Sequence, residues 1–350
     1  MPMIKTSKIK IFYTTLVLIL MLVASLMFAN SKLTKQKSTL GDGPFFMAAC
    51  YIFNVKLEIV RRLSQDYICI PTSDGGWLSA NIEKLVRRAP DGETIWQKSG
   101  YYSHRIQLLS DNSVIVFFSE NKKFGQELMR FDQVQKLDYS TGEVLKTFSV
   151  YEDLFLNPKV SSFKAVTDVG EKQVLALGVK HEGSHLNAIS VAKDKLYVSD
   201  SHRPTIVLDL SLKFEGIDTS IIKKLNLGMA FEDAKHDVQY FDDGRQVVFL
   251  NAHSDKLNKS RSFRIFEFDG DKIKFQFPNR PEDFDETFCC GGVEKIGQIY
   301  LVGYRAKGGE SSVIGFVSKG GRWLMKRKIP IQIQEIKKIS VENYLSLNKI

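Results

Sequence analysis

Four stretches of this chain share one outline, and an internal repeat constrains a fold more tightly than any composition does. "SHRIQLLSDNSVIVFF" begins at Ser103, "SHLNAISVAKDKLYVSD" at Ser184 and "KHDVQYFDDGRQVVFL" at Lys235. Each reads as a His, an alternating strand, a polar turn and a more apolar strand. "CGGVEKIGQIYLVGY", from Cys290, has the same outline with Gly in place of His. Between them lie hairpin-like segments, 134–150 and 264–277, whose turns are Thr141-Gly142 and Gly270-Asp271. Four strands per unit over ~40–50 residues is the signature of a β-propeller blade. The chain after Cys69 then makes about six blades at that spacing. A pair of β-sandwiches is the competing all-β arrangement, but it requires no such self-similarity.

The rest of the sequence frames this repeat. Short apolar runs broken by Gly, Asp and Asn, such as 113–118, 173–179, 195–200, 246–251 and 298–304, continue to the end without long helical periodicity. "PFFMAACYIFNVKLEIVRRLSQ" (44–65) is the one strong helix candidate, after a polar linker at 30–43. Residues 11–29 are 19 uncharged, mostly apolar residues behind Lys5, Lys8 and Lys10. That approaches the ~20 residues a helix needs to cross a bilayer. The expected organisation is therefore a signal anchor at 1–30, a linker and helix at 31–66, and an all-β propeller at 67–350. Val23-Ala24-Ser25 would serve a cleaved signal peptide instead, but the apolar run continues past it to Ala29. An anchor of this kind makes the membrane a partner and places the globular part outside the cytoplasm. There Cys50 and Cys69 could pair, whereas adjacent Cys289 and Cys290 bridge each other only with strain. The net charge of +9 favours anionic partners. Nucleic acid is disfavoured, because Lys and Arg are scattered and no nucleic-acid-binding signature is present.

The six histidines are at 104, 181, 185, 202, 236 and 253. The repeat gives His104, His185 and His236 equivalent places, each at the start of an inner strand, so three imidazoles should converge near the channel axis. Asn187 shares a strand face with His185, and Arg203 follows that hairpin's second strand. No CxxC or His-Cys spacing indicates zinc. An Arg among the imidazoles opposes a cation and suits an anion with several oxygens, such as sulfate or phosphate. An unprotonated imidazole can also attack a sulfuryl or phosphoryl centre and hold the group covalently.

These residues resemble a known family. "HLNAISV" followed by "KLYVSDSHRPTIVLDL", and then "HDVQYFDDGRQVVFLNAHSD", look like the bacterial arylsulfate sulfotransferases, over roughly residues 90–320. The resemblance implies a six-bladed periplasmic propeller that needs no PAPS and no other cofactor. It implies a sulfuryl group taken from an aryl sulfate ester by a channel histidine and passed to a phenolic acceptor. His236 matches the sulfated residue, His185 and Asn187 the His-x-Asn pair, His104 an upstream channel histidine, and Arg203 the arginine at the strand end. Two departures stand out: Ser201-His202-Arg203 where the family has Ser-Arg, and Phe249-Leu250-Asn251-Ala252 where it has Phe-Asp-Asn-Gly. A non-catalytic propeller that binds a ligand or protein partner is the alternative. A quinone-cofactor propeller is a poorer match, since Trp occurs only at 77, 96 and 323.

Overall fold

A computed structural model describes residues 45–124, 127–157, 181–225, 235–254, 261–279, 287–333 and 336–339. The sheets formed by these residues make a six-bladed β-propeller of antiparallel blades. From the inner strand outward, blade 2 is Ile68–Pro71, Trp77–Ala80, Lys84–Arg88 and Thr94–Ser99. Blade 3 is Tyr101–Leu108, Ser113–Phe124, Glu127–Asp138 and Val144–Ser149, with His181–Glu182 added in parallel. Blade 4 is Leu186–Ala192, Lys195–Asp200, Thr205–Asp209 and Phe214–Asp218. Blade 5 is Lys235–Tyr240, Gln246–Ser254, Arg261–Asp269 and Lys272–Phe277, and blade 6 is Thr287–Ile296, Ile299–Ala306, Ser312–Ser318 and Trp323–Ile329. The hairpins anticipated around Gly142 and Gly270 are present, each glycine in the left-handed region that its tight turn requires.

Blade 1 corrects the expected boundaries. The segment read as a helix at 44–65 is three strands, Phe45–Ala48, Tyr51–Phe53 and Ile59–Arg62, and the propeller begins at Phe45 rather than at 67. The reason is local. Ala49 and Cys50 both take positive φ, +46° and +62°, forming a two-residue turn of the type that joins twisted strands tightly. The aromatic and β-branched residues on either side then pair as Phe46 with Phe53 and Met47 with Ile52. Helical periodicity in this stretch arises because both faces of the hairpin are buried, which leaves no clean alternation. The last strand, Lys337–Ile339, pairs with Phe45–Ala48 as the innermost strand of this blade and closes the ring.

A disulfide joins Cys50, in the turn of blade 1, to Cys69, on the inner strand of blade 2. Both are buried beside Trp77 and Ile339, next to the seam where Lys337–Ile339 pairs with Phe45–Ala48. Apolar clusters fill the spaces between blades: Phe46, Phe53, Leu301 and Ile314 between blades 1 and 6, and Ile115, Phe131, Leu196 and Ile206 between blades 3 and 4. The expected anchor (11–29), the polar linker and the apolar run at 173–179 lie outside the described residues. Among the described residues no helix is long and apolar enough to cross a membrane.

Candidate functional site

Four consecutive inner strands break register near their beginnings. In blade 3 Ser103 pairs with Phe117 and Ile106 with Val116, so His104 and Arg105 have no partner residue across the strand. In blade 4 the inserted residue is Asn187, and in blade 5 it is His236. In blade 6 the break lies between Thr287 and Gly291. A bulge bends its strand and re-aims the extra side chain. Here it turns side chains that a regular strand would pack between blades toward the axis.

The three repeat histidines meet there. The ring of His104 lies 4.8 Å from that of His185 and 5.6 Å from that of His236, centroid to centroid. His104 holds φ at +61°, a conformation of order 1–3 kcal/mol uphill for a residue with a Cβ, as found where a site fixes a side chain's direction. His236 is only 5% exposed. Its Nδ1 lies 2.5 Å from the carbonyl oxygen of Gly291, which accepts only if Nδ1 carries the proton. That tautomer leaves a lone pair on Nε2, and Nε2 has no hydrogen-bond partner. Glycine at 291 is a requirement of this contact. A Cβ there would come within 2.5 Å of the Gly303 carbonyl oxygen and 2.6 Å of the Phe249 ring.

Burial keeps these imidazoles neutral. Desolvation, with neighbouring imidazoles and guanidinium groups acting in the same direction, pushes His236 down to about 3 and holds His104 well below its ordinary value. Desolvation pushes His185 down to about 4, with Arg130 and Arg203 adding to it and Asp132 and Asp200 opposing. His185 Nδ1 faces the Arg130 guanidinium at 3.4 Å. His202 is also buried and pushed down to about 4 by desolvation. The side chains of His181, His253 and Asn251 lie outside those described.

Asn187 is 3% exposed and bridges blades 4 and 5, donating to Ser201 Oγ at 2.7 Å and to the Lys235 carbonyl at 2.5 Å. Its Oδ1 has no partner. Arg203 reaches Asp200 Oδ2 at 3.1 Å, and Asp200 also accepts from the backbone N–H groups of His185, His202 and Arg203. Arg203 is therefore near the cluster, but Asp200 holds its guanidinium and the turn around it.

Sequence reasoning passed over residues adjacent to the ones it chose. Arg105 follows His104, Asp237 follows His236, and the two form a buried ion pair from blade 3 to blade 5. Asp237 also accepts from Val293 N, tying in blade 6. The signal was an Arg and an Asp in the same place of two repeats. Arg130 and Asp132 lie on the third strand of blade 3, where Asp132 accepts from Ser119 and from the Leu186 N–H. Lys235 is buried with its Nζ 2.6 Å from the Arg203 carbonyl. Around the imidazoles, five cations (Arg105, Arg130, Arg203, Lys235, Arg305) face three carboxylates (Asp132, Asp200, Asp237). The imbalance attracts an anion. Among the described residues no group of His, Cys, Asp and Glu has metal-ligating geometry.

No protein-family model matches the chain, and no characterised protein matches it in sequence. Solved structures do resemble it. A protein of unknown function from Bacteroides caccae superposes with a TM-score of 0.54 at 12% identity, covering 85% of this chain and 99% of that one. Regucalcin, a calcium-binding protein from Agrobacterium tumefaciens, gives 0.43 at 8% identity, covering 85% and 88%. BamB from Moraxella catarrhalis gives 0.37 at 10% identity, covering 85% and 93%. The first of these supports the propeller fold.

Proposed function

We propose that the imidazole cluster takes a sulfuryl group from an aryl sulfate ester onto His236 and passes it to a phenolic acceptor. The observation that carries this reading is the placement of His236: Nδ1 lies 2.5 Å from the Gly291 carbonyl oxygen and Nε2 has no partner, in a buried and electropositive surround. Nε2 attacks sulfur, an N–S bond forms, and the bond from sulfur to the aryl oxygen breaks. The departing phenoxide takes a proton from solvent and leaves as phenol. The ring becomes cationic as the bond forms, and the Gly291 carbonyl stabilises the Nδ1–H of that cation. The second half-reaction is the reverse: the acceptor phenol loses its proton to solvent as its oxygen bonds to sulfur, the N–S bond breaks, and neutral His236 is restored. A sulfate ester is a monoanion at any ordinary pH, which suits a site whose cations are partly offset by buried carboxylates.

Donor alone should leave one sulfuryl group per chain on the His236 peptide, with donor phenol released before acceptor binds. His236→Asn should abolish both adduct and turnover. An adduct on His104 or His185 would assign the nucleophile elsewhere, and turnover by His236→Asn would overturn the mechanism. The second reading, a propeller that binds an anion without transferring a group, is favoured by one observation: the His236 Nε2 atom is itself buried. Binding of the donor ester with neither adduct nor phenol release would establish that reading.

A further inference from the structure

The fourth bulged strand brings a residue to the site that the histidine pattern hides. In blade 6 the break ends at Cys290, whose φ of +56° nearly matches the +61° of His104 at the corresponding break in blade 3. In blade 3 that conformation turns the imidazole onto His185 and His236. Cys290 immediately precedes Gly291, whose carbonyl oxygen and N–H lie 2.5 and 3.4 Å from His236 Nδ1. Cys290 is partly exposed, whereas His236, which contacts the adjacent Gly291, and Asn187 in blade 4 are buried. His236 and Asn187, each more than nine-tenths buried, leave Nε2 and Oδ1 without partners on two of the broken strands, and a ligand could supply them. A thiol next to His236, whose own electrostatic neighbours include the Arg105 and Arg305 guanidinium groups, is a weak donor suited to an anion.

We infer that Cys290 is a wall residue of the anion site, its thiol presented beside His236 to the anionic group of the bound ester. The inference rests on the anion site of the preceding section, but on no transfer step. Blades 3, 4, 5 and 6 then each contribute one re-aimed residue at a strand break: His104, Asn187, His236 and Cys290.

Charge-selective thiol reagents test it on the full chain. A methanethiosulfonate reacts as the Cys290 thiolate attacks its sulfenyl sulfur. The new S–S bond forms, methanesulfinate leaves, and the thiol proton passes to solvent. The rates of an anionic (sulfonatoethyl) and a cationic (trimethylammonioethyl) reagent are each normalised to free 2-mercaptoethanol, and tandem mass mapping separates Cys290 from Cys289. The anionic reagent should be preferred at Cys290 by roughly tenfold or more, as a local potential of a few kT demands. Inorganic sulfate should slow it, and Arg130→Gln should reduce the preference. A preference of one or less, no protection by sulfate, or a Cys290 that reacts only after denaturation would overturn the inference. Selective and protected labelling without a sulfuryl adduct on His236 would leave Cys290 in an anion site and remove the transfer reading. An adduct on His236 with Cys290 indifferent to charge would do the reverse.

Discussion

Acid should destabilise this propeller well above the pH at which carboxylates protonate, because the fold buries neutral imidazoles. Each of His185, His202 and His236 has an ordinary value of 6.5 when unfolded and about 4, 4 and 3 when folded. The sign follows from proton counting. Between pH 6.5 and 4 the unfolded chain binds protons that the folded chain refuses, so stability falls as pH falls. At pH 5 each unfolded imidazole gains about 2 kcal/mol that its folded counterpart forgoes, about 6 kcal/mol for the three. His104 acts in the same direction. Glu294 opposes them. Desolvation raises its carboxyl to about 7, so the cost of its buried charge, present above that pH, is relieved on acidification. Between pH 7 and 5 that returns about 2 kcal/mol. The net expected loss is about 4 kcal/mol, a large share of the 5–15 kcal/mol typical of a folded protein. Asp200, held low by Arg203 and three backbone N–H groups, stays ionised throughout this window. Urea unfolding at pH 7, 6 and 5 measures the loss. Glu294→Gln should steepen it toward about 6 kcal/mol, and His236→Asn should reduce it by about 2 kcal/mol. Stability unchanged from pH 7 to 5, or an unaltered slope in His236→Asn, would refute the claim that these rings are buried and uncharged.

Three further outcomes follow from the geometry. Gly291→Ala must displace either the Gly303 backbone or the Phe249 ring and with them the carbonyl that orients His236, so sulfuryl adduct formation should fall by ~10-fold or more at a cost of about 1–3 kcal/mol in stability; unchanged adduct kinetics would show that Gly291 does not orient the ring. Replacing Cys50 and Cys69 together by Ala should cost about 3 kcal/mol, the chain-entropy value for a loop of their 19-residue separation; an unchanged melting temperature would argue against a bridge at the seam. Arg203→Gln should cost about 3–5 kcal/mol in stability by leaving buried Asp200 without its ion-pair partner, so a variant that melts normally yet loses transfer would return Arg203 to a direct role on the anion.

The repeat and its histidines were legible because they are periodic: an alternating strand with a His at its start recurs in sequence and, in a ring, recurs in space. The convergence of His104, His185 and His236 needs nothing beyond that symmetry. The register breaks were not legible. A bulge is one or two residues out of phase, and nothing in "SHRIQ" or "KHDVQ" says which residue leaves the ladder. Without that phase, Arg105 and Asp237 read as ordinary exposed partners of an alternating strand, whereas they form a buried pair across two blades. Arg203 shows a second thing the sequence hid. Its position at a strand end suggested an anion ligand, and nothing in the sequence indicated that Asp200, three residues earlier, pairs with it. Blade 1 was missed for a third reason. A hairpin buried on both faces, with Ala and Cys in a turn usually marked by Asn and Gly, carries none of the local punctuation by which strands are read.

The register breaks also explain how a propeller can hold polar side chains at its axis without losing the packing between blades. In a regular inner strand, alternate residues face alternate neighbours, and turning one toward the channel would flip every residue after it. An insertion confines the change to one place. Beyond the break in blade 5, Val238 and Tyr240 rejoin the apolar cluster that packs against blade 4, while Asp237 and Gln239 face blade 6. In blade 3, Ile106 returns to the cluster shared with blade 2 two residues after His104. The site and the core are thereby decoupled along each strand. Residues on the inserted turns can be exchanged for others that tolerate the same backbone, but the charged residues immediately behind them cannot, because Arg105 and Asp237 hold blades 3, 5 and 6 in register around the rings.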